Sequence, residues 1–180
     1  MTALRSATSA TLAALILASP FSSAQDRTSP LVTRSRIQLN LAGAETILGA
    51  AKIKAAAMGL KCNIAIVDDG GHLLSFARMD GARPASGATA MTKAVAAATF
   101  RQESGPLPAG GAPDLLLNLG LQHAALASGA KLTALKGGVP VVIDGQVIGA
   151  VGVGGGSGDQ DAEIAKAGIQ ALLNGLVEKK

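Results

Sequence analysis

The chain predicts an α/β fold of the α+β kind: a mainly antiparallel five-stranded sheet flanked by helices, in the order α-β-β-α-α-β-β-β-α. Three observations carry this. Asp68-Asp69-Gly70-Gly71 separates two strand-like runs, and Asp144-Gly145 separates two more. Such pairs mark hairpins, because glycine takes the positive φ that a tight turn requires. Outside the hairpins, apolar residues recur at three- and four-residue steps, the helical period. No alternating β-α-β series and no internal repeat is present, which sets aside a parallel, doubly wound sheet.

Residues 1–24 have the three parts of a secretory signal. Arg5 gives a positive start, 11–18 is a short apolar run, and Ser22-Ser23-Ala24 follows Pro20 with the small residues a signal peptidase reads. Cleavage is expected before Gln25. The apolar run is too short to span a bilayer and no later segment qualifies, so the expectation is a secreted or periplasmic protein without a membrane span. Residues 25–38 are polar and mixed, a flexible arm, and 39–180 form one domain of a size that supports its own core.

In that domain the helical period begins at Leu41 and places Leu41, Ala44, Leu48, Ala51, Ala55 and Met58 on one face, with Gly59 as a stop. Residues 62–67 then read as a buried strand and Leu73–Arg78 as its return. After a loop at 79–84, a helix over about 85–101 presents Ala88, Met91, Val95 and Ala98. The glycines and prolines of 105–111 exclude regular structure. Asp114 caps a helix running to about Ser128. Residues 132–135 read as a short strand and Gly137-Gly138 as a turn, before the strands 139–143 and 146–151. Pro140 cannot donate to a ladder, so it marks a strand start or an edge. After the glycine-rich stretch 152–158, Ser157 and Gln160 form a capping box, Asp159 and Asp161 suit a first helical turn, and the last helix runs to about Val177.

Composition narrows the function classes. The chain carries 16 Lys+Arg and 12 Asp+Glu. Loss of Arg5 with the leader leaves a mild positive charge and no basic block, which argues against a nucleic-acid partner. Cys62 is the only cysteine, so no intrachain disulfide is available, and its place in an apolar strand suggests core. There are three Phe and neither Trp nor Tyr, while Ala and Gly abound. A core of small side chains gains less burial per residue at roughly 25 cal/mol per Å2, and association would add more, so a homo-oligomer is expected.

Several residues could carry chemistry. Gly152, Gly154 and Ser157 do not make a dinucleotide fingerprint, and no P-loop exists. The backbone N–H groups of Gly154, Gly155, Gly156, Ser157 and Gly158 at a helix start could still attract a carboxylate or phosphate, or they could simply form a tight turn. His72 and His123 are too few for a zinc site built on histidines. One imidazole suffices as an axial haem ligand, and His72, just past a hairpin turn, is the candidate metal ligand or else an exposed turn residue. His123 reads as packing or solvent-facing. Asp68, Asp69 and Asp80 cluster near one hairpin and could serve as a general base or bind a cation, though Asp is also a turn former. Arg78, Arg83 and Lys93 could hold an anion or porphyrin propionates. Lys93, in a run of small apolar residues, is either a snorkelling surface residue or a pocket cation.

Two stretches resemble the GlcG/HbpS family. One is 67–73, Val-Asp-Asp-Gly-Gly-His-Leu, continuing through Arg78-Met79-Asp80-Gly81-Ala82. The other is 137–145, Gly-Gly-Val-Pro-Val-Val-Ile-Asp-Gly, continuing through 148–153 and 157–161. Lys93-Ala94 and Phe100 match the helix between them, and the resemblance covers nearly all of 41–177. It implies a profilin-like or PAS-like antiparallel sheet with flanking helices, and homo-oligomers built from dimers. For secreted members it implies haem binding, haem degradation or redox sensing. A related domain attached to corrinoid adenosyltransferases, of PduO type, also binds haem, and other members sit in catabolic pathways.

Two functions follow as expectations. The first is an exported, oligomeric binding protein for haem or a similar planar anion. His72 would reach the metal, Arg78, Arg83 or Lys93 would pair with carboxylates, and 154–158 would line the pocket. The second is a periplasmic isomerase, tautomerase or hydrolase acting on a small organic carboxylate, with Asp68, Asp69 or Asp80 as the base. The scarcity of aromatics speaks against a deep haem pocket and is easier to reconcile with one at a subunit interface.

Overall fold

Three helix starts are closed by side-chain caps, those of Asp114 and Ser157 expected from the sequence and that of Asn40 not. Asn40 Oδ1 accepts from the Gly43 N–H at 2.9 Å ahead of α1 (Leu41–Ala57). Asp114 Oδ1 accepts from the Leu117 N–H at 3.0 Å ahead of α3 (Leu115–Ser128). At α4 (Gly158–Val177) the capping box is reciprocal: the Ser157 N–H donates to Gln160 Oε1 at 2.9 Å, and the Gln160 N–H to Ser157 Oγ at 3.3 Å. Each satisfies donors that a helix start leaves without an intrahelical partner. The computed structural model describes residue 31 and residues 36–129 and 131–177. The expected leader and cleavage site, and most of the segment 25–38 read as an arm, lie outside the described residues.

The strands β1 (Asn63–Asp68), β2 (Leu73–Arg78), β3 (Gly138–Ile143) and β4 (Gln146–Gly154) form one antiparallel sheet in the order β2-β1-β4-β3. The β1–β4 register runs from Asn63 opposite Gly154 to Asp68 opposite Gly149. Strand alternation sorts the side chains. Ile64, Ile66, Val139, Val141, Val151 and Val153 meet α1 and α4 on one face. Ala65, Val67 and Ala150 meet α2 (Ser86–Phe100) on the other.

The sheet has four strands among the described residues, not five. Residues 132–135 form no strand. The Leu135 N–H donates to Thr133 Oγ1 at 3.2 Å, and the Leu135 carbonyl accepts from Ser104 Oγ at 2.8 Å. Side-chain hydroxyls thus take the groups that a ladder would have used, a known competition with regular structure.

Helix faces are also set differently from the periodicity. In α1, Ile47 is buried with Ala44, Ala51 and Ala55, while Leu41 is largely exposed. In α2, Ala98 is buried as expected, but its buried companions are Ala90, Lys93, Ala94 and Ala97; Met91 and Val95 are half-buried beside them and Ala88 is exposed. The reason lies in the sheet beneath. A Cβ on Gly152 would sit 2.1 Å from the Ala90 carbonyl oxygen, one on Gly138 would sit 2.2 Å from that of Lys93, and one on Gly154 would sit 2.6 Å from that of Ser86. The helix backbone rests on glycines, so apart from Lys93, which reaches Asp161, small side chains fill the seam.

Gly152→Ala is therefore expected to cost about 3 kcal/mol, the upper part of the usual range for overpacking, read as a lower urea midpoint. Gly49→Ala, on α1 with nothing within 4 Å of the added Cβ, should instead stabilise by up to about 1 kcal/mol. Equal effects at the two positions would contradict the close approach.

Candidate functional site

The Asp-Asp-Gly-Gly-His turn is built around one carboxylate. Asp68 Oδ1 accepts from the N–H groups of Gly70 at 2.9 Å and His72 at 2.8 Å. His72 Nδ1 lies 3.2 Å from both Asp68 oxygens. A Cβ on Gly70 would stand 2.8 Å from His72 Cε1, so glycine there makes room for the ring. Gly71 has φ +84 and lies against Val95 of α2. Desolvation pushes the Asp68 carboxyl up. The His72 backbone and ring and the Gly70 N–H outweigh it, and the group ends below its ordinary range. Its contribution to stability is therefore present above the ordinary carboxylate pKa and lost as pH falls through the lower, folded value. An ionised carboxylate only accepts, so Nδ1 carries the proton in this bond, and in the neutral ring Nε2 keeps its lone pair. The His72 side chain is 82% exposed, so that lone pair is accessible.

At the other end of β1 lies a cavity of about 570 Å3. Arg83, Ser86 and Thr89 line one side, Gly154, Gly155, Gly156 and Gly158 another, and Lys136, Leu135 and Pro106 close it. Asn63 pins the Arg83 loop: its Nδ2 donates to the Arg83 carbonyl at 3.0 Å, and the Ser86 N–H donates to the same oxygen at 3.1 Å.

Lys93 and Asp161 form the inner wall as a buried ion pair. Lys93 Nζ donates to Asp161 Oδ2 at 2.7 Å and to the Val153 carbonyl at 2.9 Å. Asp161 Oδ1 accepts from the Gly156 N–H at 2.9 Å. Their side chains are 6% and 2% exposed. Of the two expectations for Lys93, the snorkelling surface residue is excluded; it is a cation of the cavity wall, neutralised there by Asp161. Cys62 lies behind the turn, its sulfur 3.0 Å from where a Gly155 Cβ would stand. Desolvation, then the Asp161 charge, raises its thiol pKa, with Lys93 and the Gly156 N–H acting in the opposite sense. It is a buried, protonated core residue.

The structure therefore divides the residues singled out in the sequence. Arg83, Lys93 and Gly154, Gly155, Gly156 and Gly158 share the cavity. Ser157 adjoins it but spends its hydroxyl and N–H on Gln160. His72, Asp68 and Asp69 sit at the opposite end of β1, which spans roughly 17 Å at 3.3 Å per residue. Asp69 is engaged by Arg36. Arg78 closes β2 opposite Asn63, and Asp80 follows in the loop, but neither lines the cavity. The three carboxylates proposed as bases do not converge on it. Sequence reasoning missed Ser86, Thr89, Lys136 and the role of Asp161. A lysine among alanines needs a buried counter-charge, and that was the available signal for Asp161.

Lys93→Met leaves the Asp161 carboxylate buried without its partner, and should destabilise the fold by about 3–5 kcal/mol. The double change Lys93→Met with Asp161→Leu should cost less than the two single changes combined, measured by urea unfolding. Additive losses would show that the pair is not coupled.

Comparison with known proteins agrees with this architecture. Residues 39–170 match the family model described as "Haem degrading protein HbpS-like". Protein GlcG of Escherichia coli (strain K12) is 39% identical over 120 residues, 67% of this chain and 84% of that protein. A double mutant of HbpS from Streptomyces reticuli superposes with a TM-score of 0.64 at 28% identity, covering 92% of this chain and 99% of that one. The PduOC:Heme complex superposes with a TM-score of 0.62 at 26% identity, covering 75% and 95%. This chain belongs to the HbpS-like family, which includes GlcG-type proteins.

Proposed function

We propose that this chain is an exported, self-associating binding protein for haem or a similar planar anionic ligand, with His72 as the metal ligand. The observation that carries the reading is the Asp68–His72 pair. A carboxylate on Nδ1 fixes ring and tautomer and leaves Nε2 outward, the arrangement in which an imidazole serves as a metal ligand. When bound, haem would supply a redox-active iron, and His72 would hold it. Membership of the HbpS-like family and the likeness to PduOC, solved with heme, support the same reading. Scavenging, degradation and redox sensing are the roles it spans.

Self-association is supported by α3. The helix carries no Asp, Glu, Lys or Arg, and Leu115, Leu116 and Leu126 are 70%, 80% and 82% exposed. Leu115, Leu119 and Leu126 fall on one side of the helix, an apolar stripe of the kind that marks an interaction surface. A second copy of α3, equally free of charge, is the occupant that suits it. A planar ligand on so exposed an imidazole would also need a second chain to cover it. Export rests on the signal-like 1–24 segment.

Haemin titrated into the full chain is expected to give a Soret shift that His72→Ala abolishes and Asp68→Asn weakens by about 10–100-fold. Protein recovered from the periplasm should begin at Gln25 and sediment as more than one copy. Unchanged haemin binding in His72→Ala would refute the ligand assignment, and a monomer would refute the self-association.

A further inference from the structure

We propose that the cavity at the Asn63 end of β1 is a second, separate site that takes the carboxylate of a compact organic monoanion. Its volume of about 570 Å3 lies within the usual range for small-molecule pockets. The Arg83 guanidinium on its wall has no acidic partner among the described residues. Ser86 is only 6% exposed, yet its hydroxyl has no hydrogen-bond partner among the described residues and belongs to the cavity lining. The hydroxyl opens into the cavity, where it is free to donate to a ligand oxygen. Both α2 and α4 begin at this cavity, and their dipoles favour negative charge there. The glycines opposite let a ligand approach the backbone.

Charge decides the class. Lys93 is neutralised by Asp161, and Lys136 pairs with Asp159 at 3.1 Å. Among the described residues of the lining, Arg83 is then the one cation left without an acidic partner. That balance suits a single negative charge and disfavours phosphate, which carries about −1.5 to −2 at neutral pH. A planar carboxylate also matches the guanidinium fork. The apolar surface of Ala85, Pro106 and Leu135 would take a short carbon chain.

The test is a titration of the full chain with butyrate, and separately with inorganic phosphate at the same ionic strength, followed by backbone amide shifts. Butyrate should give saturable shifts at Ser86, Gly155 and Gly156. Arg83→Gln should weaken it about tenfold, in line with the loss of a hydrogen bond to a charged group, and Ser86→Ala should weaken it less. His72→Ala should bind butyrate like the parent, which separates this site from the haem reading. Three outcomes would overturn the proposal: no saturable shift, wild-type affinity in Arg83→Gln, or phosphate binding more tightly than butyrate.

Discussion

The bond between Lys93 and Asp161 is the constraint around which the cavity end of the molecule is organised. It joins the middle of α2 to the first turn of α4 and, through the Val153 carbonyl and the Gly156 N–H, to the end of β4 and the glycine turn. Taking both charges out of water is expensive, and such a pair is worth keeping only when its remaining hydrogen-bonding capacity is met. Here each partner makes a further bond to backbone. The pair also dictates its neighbours: a Cβ at Gly137, which has φ +116, would stand 2.6 Å from Asp161 Cβ and 2.9 Å from Lys93 Nζ.

A second constraint runs through the same helix. Because Gly138, Gly152 and Gly154 bring the backbone of α2 down onto the sheet, the seam has room for alanine and for little else. This explains the unusual composition in structural terms. Gly168 plays the same part between α4 and α1, where a Cβ would stand 2.8 Å from the Ile47 carbonyl oxygen. A fold closed by backbone contact buries little apolar area per residue, and it leaves the leucines of α3 outside the core.

The hairpins, the capping box and most helix limits were legible in the sequence because their signals are local. Asp144-Gly145 and Ser157 with Gln160 act within a few residues. What was not legible depends on contacts distant in the chain. The α2 face was misjudged because its depth is set by glycines some sixty residues away. The expected strand at 132–135 failed because Ser104 and Thr133 engage Leu135 first. The single pocket expected from His72, Arg83, Lys93 and 154–158 is two places, since the whole of β2 lies between His72 and Arg83 in the chain. Periodicity could not supply the partner of Lys93.

A protein with an outward imidazole at one end of its sheet and an anion-suited cavity at the other can serve two ligands without competition between them, provided the cavity is pre-formed. The ion pair ties down the glycine turn that walls it. Amide hydrogen exchange at Gly156, compared between the parent and Lys93→Met, tests this most directly. Protection at Gly156 should fall by more than the general loss of stability seen in the core amides of β1. A fall by the same factor at Gly156 and in β1 would show that the pair supports the whole fold without specifically ordering the turn.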